Sequence, residues 1–313
     1  MDIIRLTYPF PRLDPSAPSQ VLAIGFFDGV HTGHQEVLRK AISLARVSGQ
    51  DVVASVMTFD PHPREVLGGG QKNHSYITPL QEKLACFEKS GMDRCYILTF
   101  NTMLSQLSPE QFVHNVLLSL NVETAVVGFN FTYGHLGRGN VDLMRELGGD
   151  QMKVNVVRPY HQEGIRVSST RIREQLHAGQ VALARELLGR PFAISGMVVH
   201  GAGRGTTIGV PTANIEPDEA YIIPANGVYA VRLIINGKSF DGVMNVGVKP
   251  TFEQGSERTL EAHIFQFDQD VYGQRIRVEF IDYLRAERKF SSVQQLISQI
   301  QSDILSAKTI LAE

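Results

Sequence analysis

The chain of 313 residues lacks a strong charge of either sign: 30 Lys and Arg stand against 32 Asp and Glu, a formal net charge of −2. Without a basic surplus there is no electrostatic footprint for DNA or RNA, so nucleic acid is not an expected partner. No apolar run approaches the roughly 20 residues of a membrane span. The first thirty residues also lack a secretory pattern, and no membrane partner is expected. Cysteine is scarce. Cys86 falls in a stretch of helical pattern and Cys95 opens an apolar strand. Both read as buried hydrophobes in a reducing cytoplasm rather than as a disulfide. No internal repeat is evident, and the only low-complexity tract, residues 68–70 (Gly-Gly-Gly), reads as a flexible loop.

What is present suffices for two cores: 43% of the residues are apolar and 20% charged. In the first half, short apolar runs at 21–25, 52–58, 94–100, 124–128 and 153–157 read as strands buried on both faces. Helical stretches lie between them. Thr78-Pro-Leu-Gln81 and Ser108-Pro-Glu-Gln111 each offer a capping hydroxyl, a Pro at the first helical position and a Gln at the third. Strands alternating with helices predict a doubly wound parallel sheet, an α/β domain that binds ligands beyond the carboxyl ends of its strands.

Two short helices, 169–177 and 181–188, each end at a glycine, Gly179 and Gly189, and Pro191 blocks further helix. From there the pattern is β-branched and aromatic, with strands expected at 194–199, 228–235, 239–246, 259–267 and 274–281. Asn236-Gly237 is a strong hairpin signal. Strands without intervening helices predict an antiparallel β-barrel or sandwich. From Ser291, apolar residues at Val293, Leu296, Ile297, Ile300 and Ile304 mark one face of a C-terminal helix expected to pack on that barrel. The domain boundary is placed near Leu187, giving domains 1–186 and 187–313.

The most informative segment is Val21-Leu-Ala-Ile-Gly-Phe-Phe-Asp-Gly-Val-His-Thr-Gly-His34, a buried strand and a glycine-bearing loop that opens onto the helical pattern Gln35 to Arg46. His31 and His34, three apart, share one face of the first turn, beside the free N–H groups of a helix N-terminus suited to phosphate oxygens. A metal-binding reading of the pair wants further ligands, and neither cysteine stands near a matching His. Gly128-Phe-Asn-Phe-Thr-Tyr-Gly134 also follows a strand, so parallel geometry brings both loops to one sheet edge. Val167-Ser-Ser-Thr-Arg-Ile-Arg173 opens a helix with three hydroxyls and two guanidinium groups, suited to β- and γ-phosphates.

Together with Thr58-Phe-Asp-Pro-His-Pro63, these segments resemble the FMN adenylyltransferase module of bacterial bifunctional riboflavin kinase/FAD synthetases. The resemblance implies that His31, His34 and Asn130 serve the phosphates and metal. It also places Gly25, Phe27 and Asp28 in the nucleotide loop and Ser168, Ser169, Thr170 and Arg173 on the pyrophosphate side, with the loop 58–63 near the flavin. Phe26 departs from the Asn often found there, which removes a polar side chain but leaves the loop backbone.

In the second half, two glycine patterns mislead. Gly201-Ala-Gly-Arg-Gly-Thr-Thr-Ile-Gly cannot open a dinucleotide-binding helix, since Thr206 and Ile208 occupy the positions where the third glycine would fall. Gly237-Lys238-Ser239 imitates the tail of a Walker motif, but Arg232 stands in place of its first glycine. Pro211-Thr-Ala-Asn214 carries a hydroxyl and an amide two residues apart, one face of an extended segment that can ligate a hard cation such as Mg²⁺. Glu261, in an alternating strand, could accept a proton from an alcohol or form a cross-strand ion pair.

Residues 189–192, 201–214, 227–229, 245–252, 260–263, 271–273 and 284–290 resemble the riboflavin kinase module, so the likeness covers nearly the whole chain. It implies Thr212 and Asn214 at Mg²⁺ and Glu261 as base on the riboflavin 5′-hydroxyl. Gly203, Arg204 and Gly205 would lie in the nucleotide loop, with Arg285 near the flavin. Ala202 and Thr206 replace residues often acidic and basic in the family. The expected activity is ATP-dependent phosphorylation of riboflavin to FMN, with ADP released, then adenylylation of FMN to FAD with release of pyrophosphate. Mg²⁺ accompanies ATP at each site, and no obligate protein partner is implied. A kinase with an impaired adenylyltransferase, or a non-catalytic flavin or nucleotide sensor, are the rival readings.

Overall fold

Strand and helix patterning resolves into two contact units, Met1–His74 with Thr78–Ser168, and Ser75–Ile77 with Ser169–Glu313. The computed structural model describes residues 1–14, 16–49, 51–67, 74–201, 209–249 and 257–312. The glycine tract at 68–70 and Gly203, Arg204 and Gly205 lie outside them, as do Ala202 and Thr206.

The first unit holds strands β1 (Asp2–Leu6), β2 (Gln20–Ile24), β3 (Val53–Asp60), β4 (Arg94–Thr99), β5 (Val122–Gly128) and β6 (Lys153–Val157). They form one parallel sheet in the order β1-β4-β3-β2-β5-β6. Five of the strands stand where apolar runs predicted them. β1 is additional; at the sheet edge it is half exposed, so it carries no continuous apolar run. In β2, Val21 and Ala23 join one core and Leu22 and Ile24 the other, so both sheet faces are covered. A small hairpin, β7 (His161–Gln162) with β8 (Ile165–Arg166), follows β6.

Two helix starts differ in detail. Ser108 makes the expected reciprocal capping box with Gln111. The helix Leu80–Lys89 starts later than expected, with Pro79 rather than Thr78 at its N-cap. Buried Thr78 instead directs its backbone N–H to the Asp28 carboxylate at 3.1 Å. Cys86 and Cys95 are free thiols, the second fully buried, and burial pushes the Cys95 thiol up to about 12.

The second unit begins with helices Ser169–His177 and Val181–Leu188; the latter ends on Gly189 in the left-handed conformation (φ 71°). Both group by contact with the strands that follow. These are β9 (Phe192–Val199), β10 (Ala213–Pro217), β11 (Gly227–Ile235), β12 (Lys238–Lys249), β13 (Glu257–Ile264) and β14 (Arg275–Arg285). They close an antiparallel barrel in the order β10-β13-β12-β11-β14-β9. Asn236 and Gly237 have φ of 49° and 77° and close the β11–β12 hairpin, with Ile235 paired to Lys238. The C-terminal helix Val293–Leu311 buries Ala307 and Leu311 against Val228, Ala230, Val243 and Ile281 of the barrel. Its amino-terminal apolar residues do something else: Val293, Leu296 and Ile300 face a cavity.

Candidate active sites

In the sheet, the chain runs from β2 to β3 and β4 on one side, then returns to place β5 on the other side of β2. The loops after β2 and β5 therefore leave the same sheet edge side by side, at the point where strand order reverses, and a ligand crevice is expected there. A cavity of about 580 Å³ occupies it, lined by Gly25, Phe27 and His34 from the first loop and by Gly128 and Asn130 from the second. Phe59, Phe100, Leu104 and Phe112 make its wall largely apolar. A planar aromatic ligand suits such a wall.

The first loop is tightly specified. Phe27 and Val30 hold φ of 56° and 41°, each a conformation costing on the order of 1–3 kcal/mol for a residue with a Cβ. Asp28 is buried and anchors the loop by accepting the Thr78 N–H. The Phe26 carbonyl accepts from the Thr58 hydroxyl at 3.0 Å and the Lys83 ammonium at 2.8 Å. His31 is the N-cap of the helix Thr32–Ser48, its Nδ1 accepting the His34 N–H at 3.2 Å. A neutral His31 ring so engaged carries its proton on Nε2. The two imidazoles are stacked with centroids 3.5 Å apart and planes 17° apart. The Phe27 ring meets His34 edge-on at 5.3 Å.

From the neighbouring loop, Pro63 lines the cavity and the His62 ring lies 4.1 Å from the Phe26 ring. Arg166 on β8 places its guanidinium 4.6 Å over the Phe129 ring. The Ser168–Arg173 run falls across the contact boundary: Ser168 belongs to the first unit, and Ser169, Thr170 and Arg173 to the second. Arg173 donates to the Ser75 carbonyl at 2.7 Å within the second unit.

The barrel unit has its own cavity, about 690 Å³, lined by Thr212, Glu261, His263, Arg285 and the C-terminal helix residues named above. β13 runs between β10 and β12, so Glu261 stands in register with Asn214 on one side and Asn245 on the other. No cation faces it across either ladder. Among the described residues Glu261 takes part in no ion pair, which removes the cross-strand pairing considered above. Ala213 and Ile215 are buried while Thr212 and Asn214 are half-buried, the alternation expected of an extended segment. A Cβ on Gly201 would collide with the Asn214 amide, so glycine there makes room for that side chain.

Arg285 is held by a two-pronged ion pair to buried Asp303 on the C-terminal helix, Nε to Oδ1 at 2.9 Å and Nη2 to Oδ2 at 2.7 Å. The Pro211 carbonyl accepts from His263 Nδ1 at 2.8 Å, fixing the turn into Thr212. Lys83, His263, Asn245 and Asp303 were not singled out from the sequence. A signal existed for two of them: Lys83 stands on the apolar face formed with Leu80, Leu84 and Phe87, and His263 lies two residues from Glu261 on the same strand face.

Residues 14–171 match the FAD synthetase family model and residues 188–311 the riboflavin kinase model. A Bacillus subtilis (strain 168) protein described as bifunctional riboflavin kinase/FMN adenylyltransferase is 40% identical over 305 residues, covering 97% of this chain and 96% of that one. An Escherichia coli (strain K12) protein of the same description is 36% identical over 291 residues, 92% and 91% of the two chains. A solved structure named as a macrolide-efflux protein from Streptococcus pneumoniae superposes with a TM-score of 0.87 at 33% identity, covering 97% of this chain and 99% of that one. Among the described residues of this chain, no helix is long and apolar enough to cross a membrane.

Proposed function

The chain belongs to the bifunctional riboflavin kinase/FMN adenylyltransferase family, and from that premise we propose how its residues divide the two reactions. The enzyme phosphorylates riboflavin with ATP to give FMN and ADP, then adenylylates FMN to FAD and releases pyrophosphate. We assign adenylylation to residues 1–186 and phosphorylation to 187–313; the two family matches leave the helical pair between 171 and 188 as the join.

In the barrel, Glu261 takes the proton from the riboflavin 5′-hydroxyl as its oxygen attacks the γ-phosphorus and the bond to the bridging oxygen of ADP breaks. The observation that carries this is the carboxylate's placement in the cavity between two asparagines, with no ion-pair partner among the described residues. Thr212 and Asn214 present a hydroxyl and an amide oxygen beside it, a hard donor set that fits Mg²⁺. Gly201 leaves the space that set requires. When bound, Mg²⁺ would neutralise charge on the transferred phosphate. Arg285, braced by Asp303, borders the flavin side of the cavity; Gly203, Arg204 and Gly205, outside the described residues, are assigned to the nucleotide on the family resemblance alone.

Adenylyl transfer needs no base, because the attacking FMN phosphate oxygen is already anionic. It needs donors for the charge that develops on the α-phosphate as the bond to pyrophosphate breaks. His31 and His34 supply N–H groups at the amino end of a helix, and Asn130 adds an amide from the adjacent loop. Gly25, Phe27 and Asp28 shape the nucleotide loop, and Ser168, Ser169, Thr170 and Arg173 serve the pyrophosphate. Both activities act on small molecules, and we propose a cytoplasmic enzyme that needs no protein partner.

A chromatographic assay of riboflavin with Mg²⁺ and ATP tests the whole reading. FAD is the expected product; FMN alone would leave only the kinase, and neither product would leave a binding protein. Asn214→Ala is expected to weaken Mg²⁺ use and slow riboflavin phosphorylation roughly 10- to 100-fold, partly relieved by raised Mg²⁺. FAD should still form from supplied FMN. Loss of both activities in the folded variant would contradict the division.

A further inference from the structure

Lys83 has no part in the chemistry above, yet its position is unusual. It is 2% exposed on the helix Leu80–Lys89, among buried Leu84 and Phe87. Fully buried ammonium groups are rare because desolvation is expensive, and an apolar side chain of equal length would be cheaper there. Its Nζ donates to the Phe26 carbonyl at 2.8 Å, lies 3.4 Å from the Thr58 hydroxyl and sits 3.9 Å from the centroid of the Phe26 ring. That carbonyl belongs to the peptide that leads into Phe27, whose backbone is held at positive φ. The Phe27 ring in turn abuts His34, and His34 stacks on His31. A continuous line of contacts thus joins the buried ammonium to the two imidazoles.

We propose that Lys83 is a positioning residue for adenylyl transfer: its ammonium locks the Phe26 carbonyl and so sets the loop that presents His31 and His34 to ATP. The proposal rests on the adenylyltransferase reading of this unit. Burial lowers the Lys83 pKa to about 8, offset in part by Asp28 of the loop, Asp60 at the end of β3 and Cys95 of β4. The lock therefore weakens as pH rises through that value. Stability moves the other way. Between the folded pKa of about 8 and the unfolded value of 10.5 the unfolded chain binds the extra proton, so loss of this proton from solution favours the folded state.

The test uses the full chain and Lys83→Met, with each product followed separately. Wild-type FAD formation from FMN should fall with an inflection near pH 8, and the variant should lack that inflection. At pH 7 the variant should adenylylate roughly tenfold more slowly in kcat, below the 10²-fold that a 1 Å displacement can cost. Riboflavin phosphorylation should be unchanged and the melting temperature not lowered. A lowered melting temperature with normal turnover would make Lys83 merely structural and overturn the proposal. Should the variant fail to fold, the wild-type profile decides, and a flat profile between pH 7 and 9.5 refutes the lock. Wild-type enzyme that makes no FAD at any pH refutes the adenylyltransferase reading itself, a distinct result.

Discussion

Glu261→Gln is expected to lower riboflavin phosphorylation by on the order of 10²–10⁴ in the chemical step, the usual loss when a general base is removed. Glutamine keeps the size of the side chain and one acceptor oxygen but cannot take the 5′-hydroxyl proton. Its neighbours in register, Asn214 and Asn245, are neutral, so the substitution strands no buried cation. Riboflavin and ATP affinity should change little, and FMN supplied directly should still be converted to FAD. A carboxylate that only supported the strand would behave otherwise: stability would fall with turnover retained. Single-turnover phosphorylation and thermal unfolding of one variant separate the two. Near-normal phosphorylation would remove Glu261 from the mechanism.

Legibility in the sequence followed burial. Strands β2 to β6 carry continuous or nearly continuous apolar runs because helices cover both sheet faces, and such runs are readable. β1 escaped because an edge strand with exposed Asp2 and Ile3 has no run to read. β10 escaped for a different reason. Its five residues alternate as a strand should, but the run is too short, and ends too soon in Pro217, for the alternation to stand out. The capping boxes show the same limit: Ser108 obeys its local signal, whereas the signal at Thr78 yields to a tertiary contact with Asp28.

The candidate residues with chemistry of their own are those to which type, spacing and the family resemblance point. Residues acting through another group are not among them. Asp303 reads as an exposed helical carboxylate until Arg285 is seen across from it, and Lys83, although it stands on the apolar face of its helix, shows no target until the loop above it is placed. The C-terminal helix gave a true periodicity with a partly different use. Its apolar stripe begins on the barrel unit's cavity and its carboxyl-terminal half packs on the barrel.

His31→Ala and His34→Ala are each expected to lower FAD formation by about 10²–10³, the cost of one preorganised donor to transition-state charge, while FMN formation stays nearly intact. The two should differ in stability. His31 also caps its helix through Nδ1, and loss of an N-cap acceptor typically costs about 0.5–2 kcal/mol. His34→Ala removes a half-buried ring and leaves that cap in place. His31→Asn resolves the ambiguity, because asparagine is a strong N-cap acceptor but has no Nε2–H to offer the phosphate. It should restore the melting temperature without restoring adenylylation. Recovery of FAD formation by His31→Asn would mean that His31 shapes the helix start and nothing more. Wild-type FAD formation by His34→Ala would show that the stacked pair does not touch the reacting phosphate.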